Sequence, residues 1–130
     1  MKRDKREKPE KNSPRAARIA EALRDELSRL IRLEVKDPRI GAAGLLTVSG
    51  VRVSGDLGHA EVGISFAGGD PKNAEAAMKA LGRVAGWLRG EAGRALGIKH
   101  APELRFHHDR SGEALAHIEA LLRDDPKPSE

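Results

Sequence analysis

Four residues, Lys36-Asp37-Pro38-Arg39, constrain this chain more than any others. Proline supplies no amide donor and pushes the residue before it out of the helical region, so a helix that reaches Val35 cannot continue through residue 38. The two sides of the break also follow different periods. Upstream, Ile19, Leu23, Leu27, Leu30 and Ile31 recur at steps of three and four, with Arg18, Arg24, Asp25, Arg29 and Arg32 between them. That is one face of an amphipathic helix, opened by Ser13 as N-cap and Pro14 at the first helical position.

Downstream the period becomes two. Leu46, Thr47 and Val48, then Val51, Arg52 and Val53, form a first strand whose apolar parity slips across Ser49-Gly50, which predicts a β-bulge. Ser54 to Gly58 is turn material, and Ala60, Val62, Ile64 and Phe66 alternate with Glu61, Gly63 and Ser65 as the second strand of a hairpin. Asp70-Pro71 repeats the cap-and-proline device and opens a helical segment over 71–99. Pro102 precedes a short third strand, Leu104 to His107. Ser111 or Gly112 starts a last helix through Ala114, Leu115, Ile118, Leu121 and Leu122. A sheet of three strands has a face to bury and the helices must cover it, so the expected architecture is an α+β two-layer domain. Residues 13–123 form that domain, residues 1–12 a disordered basic tail and residues 124–130 a flexible end.

Cysteine is absent, which excludes disulfides, cysteine-based zinc sites and a cysteine nucleophile. No apolar run approaches the ~20 residues that span a bilayer, and the charged N-terminus has no hydrophobic stretch behind it. A soluble, cytoplasmic protein is expected, with no signal peptide and no membrane.

The net charge of +4 is unevenly placed. Residues 1–11 hold six basic and three acidic side chains, residues 12–70 eight of each, and residues 100–130 four basic and seven acidic. Residues 71–99 carry Lys72, Lys79, Arg83, Arg89, Arg94 and Lys99 against Glu75 and Glu91. The positive excess thus sits in one tail and one internal segment, the footprint of a surface for polyanions. A solvated tail and an ordinary helix surface would look similar.

The segment 71–99 separates further on a helical wheel. Leu81, Leu88, Ala74, Ala77, Ala92 and Ala95 gather on one side, and Lys72, Lys79, Arg83 and Arg94 stand opposite with Gly86, Gly90 and Gly97. Glycine inside a helix costs roughly 1 kcal/mol against alanine. Gly82, Gly86, Gly90 and Gly93 therefore suggest a helix that breaks near Gly86, close packing, or a surface that a sugar-phosphate backbone approaches. Trp87, between the basic and apolar sides, reads as a core anchor at the junction rather than a stacking platform, since aromatic residues make up only 2% of the chain.

Other chemistry is weaker. His107 and His108 are adjacent strand residues and point to opposite faces, so they do not converge on one ion, and His59, His100 and His117 lack ligand spacing. Asp109 reads as the cap of the turn into the last helix. Nothing pairs an acid, a base and a nucleophile, so neither an enzyme nor a metal or cofactor site is expected.

Four stretches carry a resemblance: "VKDPRI" after the first helix, "LTVSGVRVSGDLGHAEVGISF" across the hairpin, "VAGWLRGEAGRALGI" at the helix junction and "APELRFHHDRS" through the last strand. Over about residues 15–122 the chain resembles the bacterial ribosome-binding factor A family. The resemblance implies a type II KH-like domain in the order α-β-β-α-α-β plus a C-terminal helix, an RNA-binding fold. It implies a non-catalytic, monomeric factor that binds the small (30S) ribosomal subunit near the decoding centre and assists late maturation of 16S rRNA, with importance in the cold. Release by an assembly GTPase would fit. An Ala-x-Gly junction replaces the usual GxxG loop in that family, and Val84, Ala85 and Gly86 occupy the position, with valine in place of the first alanine. A literal GxxG, Gly90-Glu91-Ala92-Gly93, falls inside the second helix.

The expected RNA contacts are Lys72, Lys79, Arg83, Gly86, Arg89, Arg94 and Lys99, joined by Arg15 and Arg18 and by Lys2, Arg3, Lys5 and Arg6 of the tail. Two other classes remain open at this point. One is a general KH-type module for RNA or DNA. The other is a protein-interaction domain whose basic face meets an acidic partner.

Overall fold

Ser13 and Pro14 open the first helix, α1 (Pro14–Leu33), with the Ser13 side chain accepting from the Ala16 amide at 3.3 Å. The structure, a computed structural model, describes residues 13–111 and residue 122. The basic tail 1–12, most of the expected last helix and the C-terminal end lie outside the described residues. Along α1 the buried positions are Ala16, Leu23, Leu27, Leu30 and Ile31, the stripe that the spacing predicts. Burying each of those leucines contributes roughly 2 kcal/mol.

α1 ends before the proline, at Leu33. Asp37-Pro38 does not terminate α1 itself; it starts a second, five-residue helix, α2 (Pro38–Ala42). Asp37 Oδ1 accepts from the Arg39 amide at 2.9 Å, and the Arg39 guanidinium grips both carboxylate oxygens at 3.0 and 2.6 Å. That double grip holds the Asp37 carboxyl at about 2, well below its ordinary value.

The hairpin follows as β1 (Gly44–Val53) and β2 (His59–Gly68), paired antiparallel, with the register shift between Val48 and Gly50 where the parity slip predicts a bulge. Ser54 Oγ and Asp56 Oδ1 both accept from the Gly58 amide and tie the turn. At the far end β1 starts at Gly44 with φ 120, and a Cβ there would lie 2.5 Å from the Ala67 carbonyl oxygen, so only glycine fits. β3 (Glu103–His108) pairs parallel with β2, giving the sheet order β1-β2-β3.

Between β2 and β3, Asp70 caps a short 3₁₀ turn (Pro71–Asn73) through its side chain and the Lys72 amide, and α3 (Ala74–Arg83) and α4 (Ala85–Leu96) follow. α1 packs on β1 and on α4, while α3 and α4 pack on β3 and α2 on α3. All cover the sheet face that carries Val48, Val53, Ala60, Val62, Ile64, Phe66 and Leu104, and these residues with Leu81, Leu88 and Ala92 form one core. The result is the expected two-layer α+β domain. Its other sheet face carries Thr47, Ser49, Arg52, Glu61, Arg105 and His107.

Candidate nucleic-acid interface

The helical segment breaks at Val84, two residues earlier than a glycine hinge would place it. Val84 sits between α3 and α4 with φ −100 and ψ 7, and its amide donates to the carbonyls of Leu81 and Gly82. This is the sparsely populated bridge region, open to a non-glycine residue, so the turn does not need glycine. Gly86 is therefore a residue of the first turn of α4 rather than the hinge. Its neighbourhood is open: a Cβ built there meets nothing within 4 Å, and the same holds for Gly82. Val84 supplies no side-chain cap, so the first amides of α4 lack that partner.

The break also resets the wheel. Leu81, Leu88, Ala74, Ala77 and Ala92 are buried as expected, but Ala95 is exposed because α4 starts with a new phase. Trp87 is not a core anchor. It stands 44% exposed on α4, whose core position is taken by the fully buried Leu88 one residue on.

The basic residues separate in consequence. Arg89, Arg94 and Lys99 line a shallow groove of about 400 Å³ together with His100, Ile98, Ala101 and the glycines at 86, 90 and 93. Arg89 Nε donates to the Ala101 carbonyl at 2.9 Å, which fixes the guanidinium against the groove wall. Arg94 pairs with Glu91 three residues earlier. Gly93 is the packing glycine of the GxxG, buried where a Cβ would lie 3.1 Å from that of Ala101, and Gly97 ends the helix with φ 69. That GxxG thus lies within α4, as expected.

The remaining predicted contacts lie elsewhere. Arg83, at the end of α3, faces the Asp37–Arg39 pair and helps to depress the Asp37 carboxyl. Lys72 lies in the 3₁₀ turn before α3, and Lys79 is exposed on α3 beside Glu75 at 3.9 Å. Arg15 and Arg18 are exposed on the opening turns of α1. Lys2, Arg3, Lys5 and Arg6 lie outside the described residues. The structure brings together Gly86, Arg89, Arg94 and Lys99, and it adds His100, whose place on the loop after α4 was the only hint in the sequence.

A second cluster escaped the sequence reading. On the open sheet face Glu61 receives His107 Nε2 as hydrogen-bond partner, with His59 Nε2 and the Arg105 guanidinium each at 3.6 Å. The His107 contact, followed by the surrounding positive charge, holds the Glu61 carboxyl below its ordinary range. Strand pairing Glu61↔Arg105 and Gly63↔His107 produces this meeting. His108 points to the other face and contacts the Phe66 ring edge-on, so the two adjacent histidines do diverge. Among the described residues no group of three His, Asp or Glu side chains is arranged to hold a metal ion. Nor is any described helix long and apolar enough to cross a membrane.

Comparison with known proteins bears on the family and the fold. The chain is 48% identical over 109 residues to the ribosome-binding factor A of Desulfitobacterium hafniense, covering 84% of each chain, and 40% identical over 118 residues to that of Halorhodospira halophila, covering 91% of each. The crystal structure of ribosome-binding factor A from Thermus thermophilus superposes with a TM-score of 0.61 at 28% identity, over 74% of this chain and 98% of that one. Coordinates of the Thermus factor fitted into an electron cryo-microscopy map of its complex with the 30S subunit match with a TM-score of 0.54 at 27% identity, over 76% of this chain and 96% of that one. The sequence profile of ribosome-binding factor A matches residues 15–122, so this chain, with its KH-like sheet and helices, belongs to the ribosome-binding factor A family.

Proposed function

We propose that this protein binds the small ribosomal subunit, contacts its rRNA through backbone phosphates and assists late maturation of the 16S rRNA without catalysing a reaction. Membership of the family supports the ribosome as partner, and the Thermus relative fitted to its 30S complex supports the small subunit. The observation on this chain that carries the RNA contact is the groove in which Arg89, Arg94 and Lys99 stand around the open Gly86. Guanidinium and ammonium groups neutralise phosphates. The bare position at Gly86 lets a sugar-phosphate backbone come close to the helix. Arg83 and the uncapped first amides of α4 extend the anion-binding surface past the break.

Such contacts position RNA without reading its sequence, so the protein would hold one rRNA conformation until maturation permits release by an assembly GTPase. It would act as a cytoplasmic monomer, and the basic tail 1–12 would add charge contacts. Co-sedimentation with isolated small subunits, large subunits and assembled ribosomes across a salt series tests this reading. Selective binding to small subunits that weakens with salt is expected. Replacing Arg83, Arg89 and Arg94 by Ala should flatten that salt dependence by roughly 0.7–0.9 in log–log slope for each phosphate contact removed. Equal binding to every particle would reduce the protein to a general basic RNA binder, and an unchanged triple variant would show the face to be wrongly assigned.

A further inference from the structure

Trp87 is the one large apolar side chain of α3 and α4 that is left in water, at 44% exposure, whereas Leu81 and Leu88 are fully buried and Met78, Val84 and Leu96 are packed against the core. Its neighbours on the same helix face, three and four residues on, are Gly90 and Glu91. At Gly90 an added Cβ would meet only the two terminal nitrogens of the Arg94 guanidinium, at 3.8 and 3.9 Å. The Arg94 fork therefore lies over Gly90, held there by Glu91 and about one turn from the indole. On the other side Gly86 is bare. The exposed indole thus stands on the same helix face as Arg94, which itself lines the groove with Arg89, Lys99 and His100.

We propose that Trp87 and Arg94 form a subsite for one unpaired RNA nucleotide, its base stacked on the indole and its phosphate at the guanidinium. This rests on the RNA-binding reading above and deepens it. The basic groove lined by Arg89, Arg94 and Lys99 selects an anionic partner, and RNA is the anionic polymer that alternates flat rings with phosphates at this scale. A duplex would not serve, because its bases are already stacked and buried in the helix, so the target is a loop, bulge or single-stranded end.

Trp87 is the only tryptophan and the chain has no tyrosine, so its emission reports on this one position. The full chain would be titrated with a labelled single-stranded oligoribonucleotide, with the same sequence annealed to its complement, and with RNA-free proteins of the small subunit, reading tryptophan emission and RNA anisotropy together. Quenching by the single strand, following the same binding curve as the anisotropy and weaker with the duplex, is expected. Trp87→Ala should lose affinity for the single strand on the order of tenfold with an unchanged salt slope, because stacking releases no counterions. Trp87→Phe should keep most of the affinity, and thermal melts of both variants establish that they fold. If the single strand binds while emission stays constant and Trp87→Ala binds as well as the parent, the subsite is wrong and the RNA-binding function stands. If emission answers to the stripped proteins and not to RNA, Trp87 is a protein contact and the subsite is again overturned. If neither RNA nor intact subunits bind, the function falls and the subsite with it.

Discussion

A glycine where alanine would fit is evidence about what else must fit. At Gly86 nothing stands within 4 Å of an added Cβ, and the backbone is helical, so Gly86→Ala should stabilise the protein by about 0.5–1 kcal/mol. The same substitution should weaken binding to small subunits if the bare surface serves RNA; denaturant unfolding and co-sedimentation measure the two effects separately. Gly93→Ala should show no such gain, because its Cβ would crowd Ala101 and the Ile98 carbonyl at 3.1 and 3.3 Å. Asp37 offers a pH test. Its carboxyl lies at about 2 against an ordinary 3.8, first because Arg39 hydrogen-bonds it. A depressed carboxyl stabilises fully above its ordinary value and loses that contribution as pH falls from 3.8 to about 2. Asp37→Asn should therefore melt lower than the parent at neutral pH, and the two melting temperatures should converge near pH 2.

At the scale of elements, α4 serves two faces with one residue of offset. Leu88 is fully buried and packs the helix into the core, while Trp87 and Arg89 on either side of it are exposed. Leu88→Ala should cost about 2–5 kcal/mol, read as a shift in the denaturant midpoint. Such a loss would unfold α4 and its groove together, so this variant reports stability and not RNA contact. The break at Val84 is what permits the arrangement. An unbroken helix would continue the phase of α3 and leave Ala95 facing the core.

For the whole molecule, acid is the condition that tests how the elements are tied. Asp56 is lowered by Ser54 and the Gly58 amide in the hairpin turn, Glu61 by His107 across β2 and β3, and Asp109 by Ser111 and Ser49. Ser49 Oγ reaches Asp109 Oδ2 at 2.8 Å, linking β1 to the end of β3 above Gly63. Each of these carboxyls binds its proton more readily in the unfolded chain. Stability should thus fall as pH drops through the ordinary carboxyl values of 4.5 and 3.8. A Glu61→Gln, Asp109→Asn double variant should show a flatter acid limb in melting temperature between about pH 5 and 2. Glu61 is half-buried and still reached by solvent, so high salt should shrink its part of the effect.

Much of what depends on neighbours a few residues apart was already written in the sequence, although Asp37-Pro38, which reads as a stop, opens a short helix. The α1 stripe, the Ser13 and Asp70 caps, the bulge after Val48 and the order of the three strands and longer helices follow from local period and turn chemistry, and the quoted motifs carried the family. What required the tertiary structure was every relation across a break or between strands. One wheel over 71–99 assumes one phase, and the turn at Val84 changes it, moving Trp87 and Ala95 to the surface and separating Arg83 from Arg94. Glu61 and His107 are 46 residues apart in the chain and meet only because β3 pairs parallel to β2 in a particular register. Periodicity gives each helix an inside and an outside, but only packing decides which cations then share a surface.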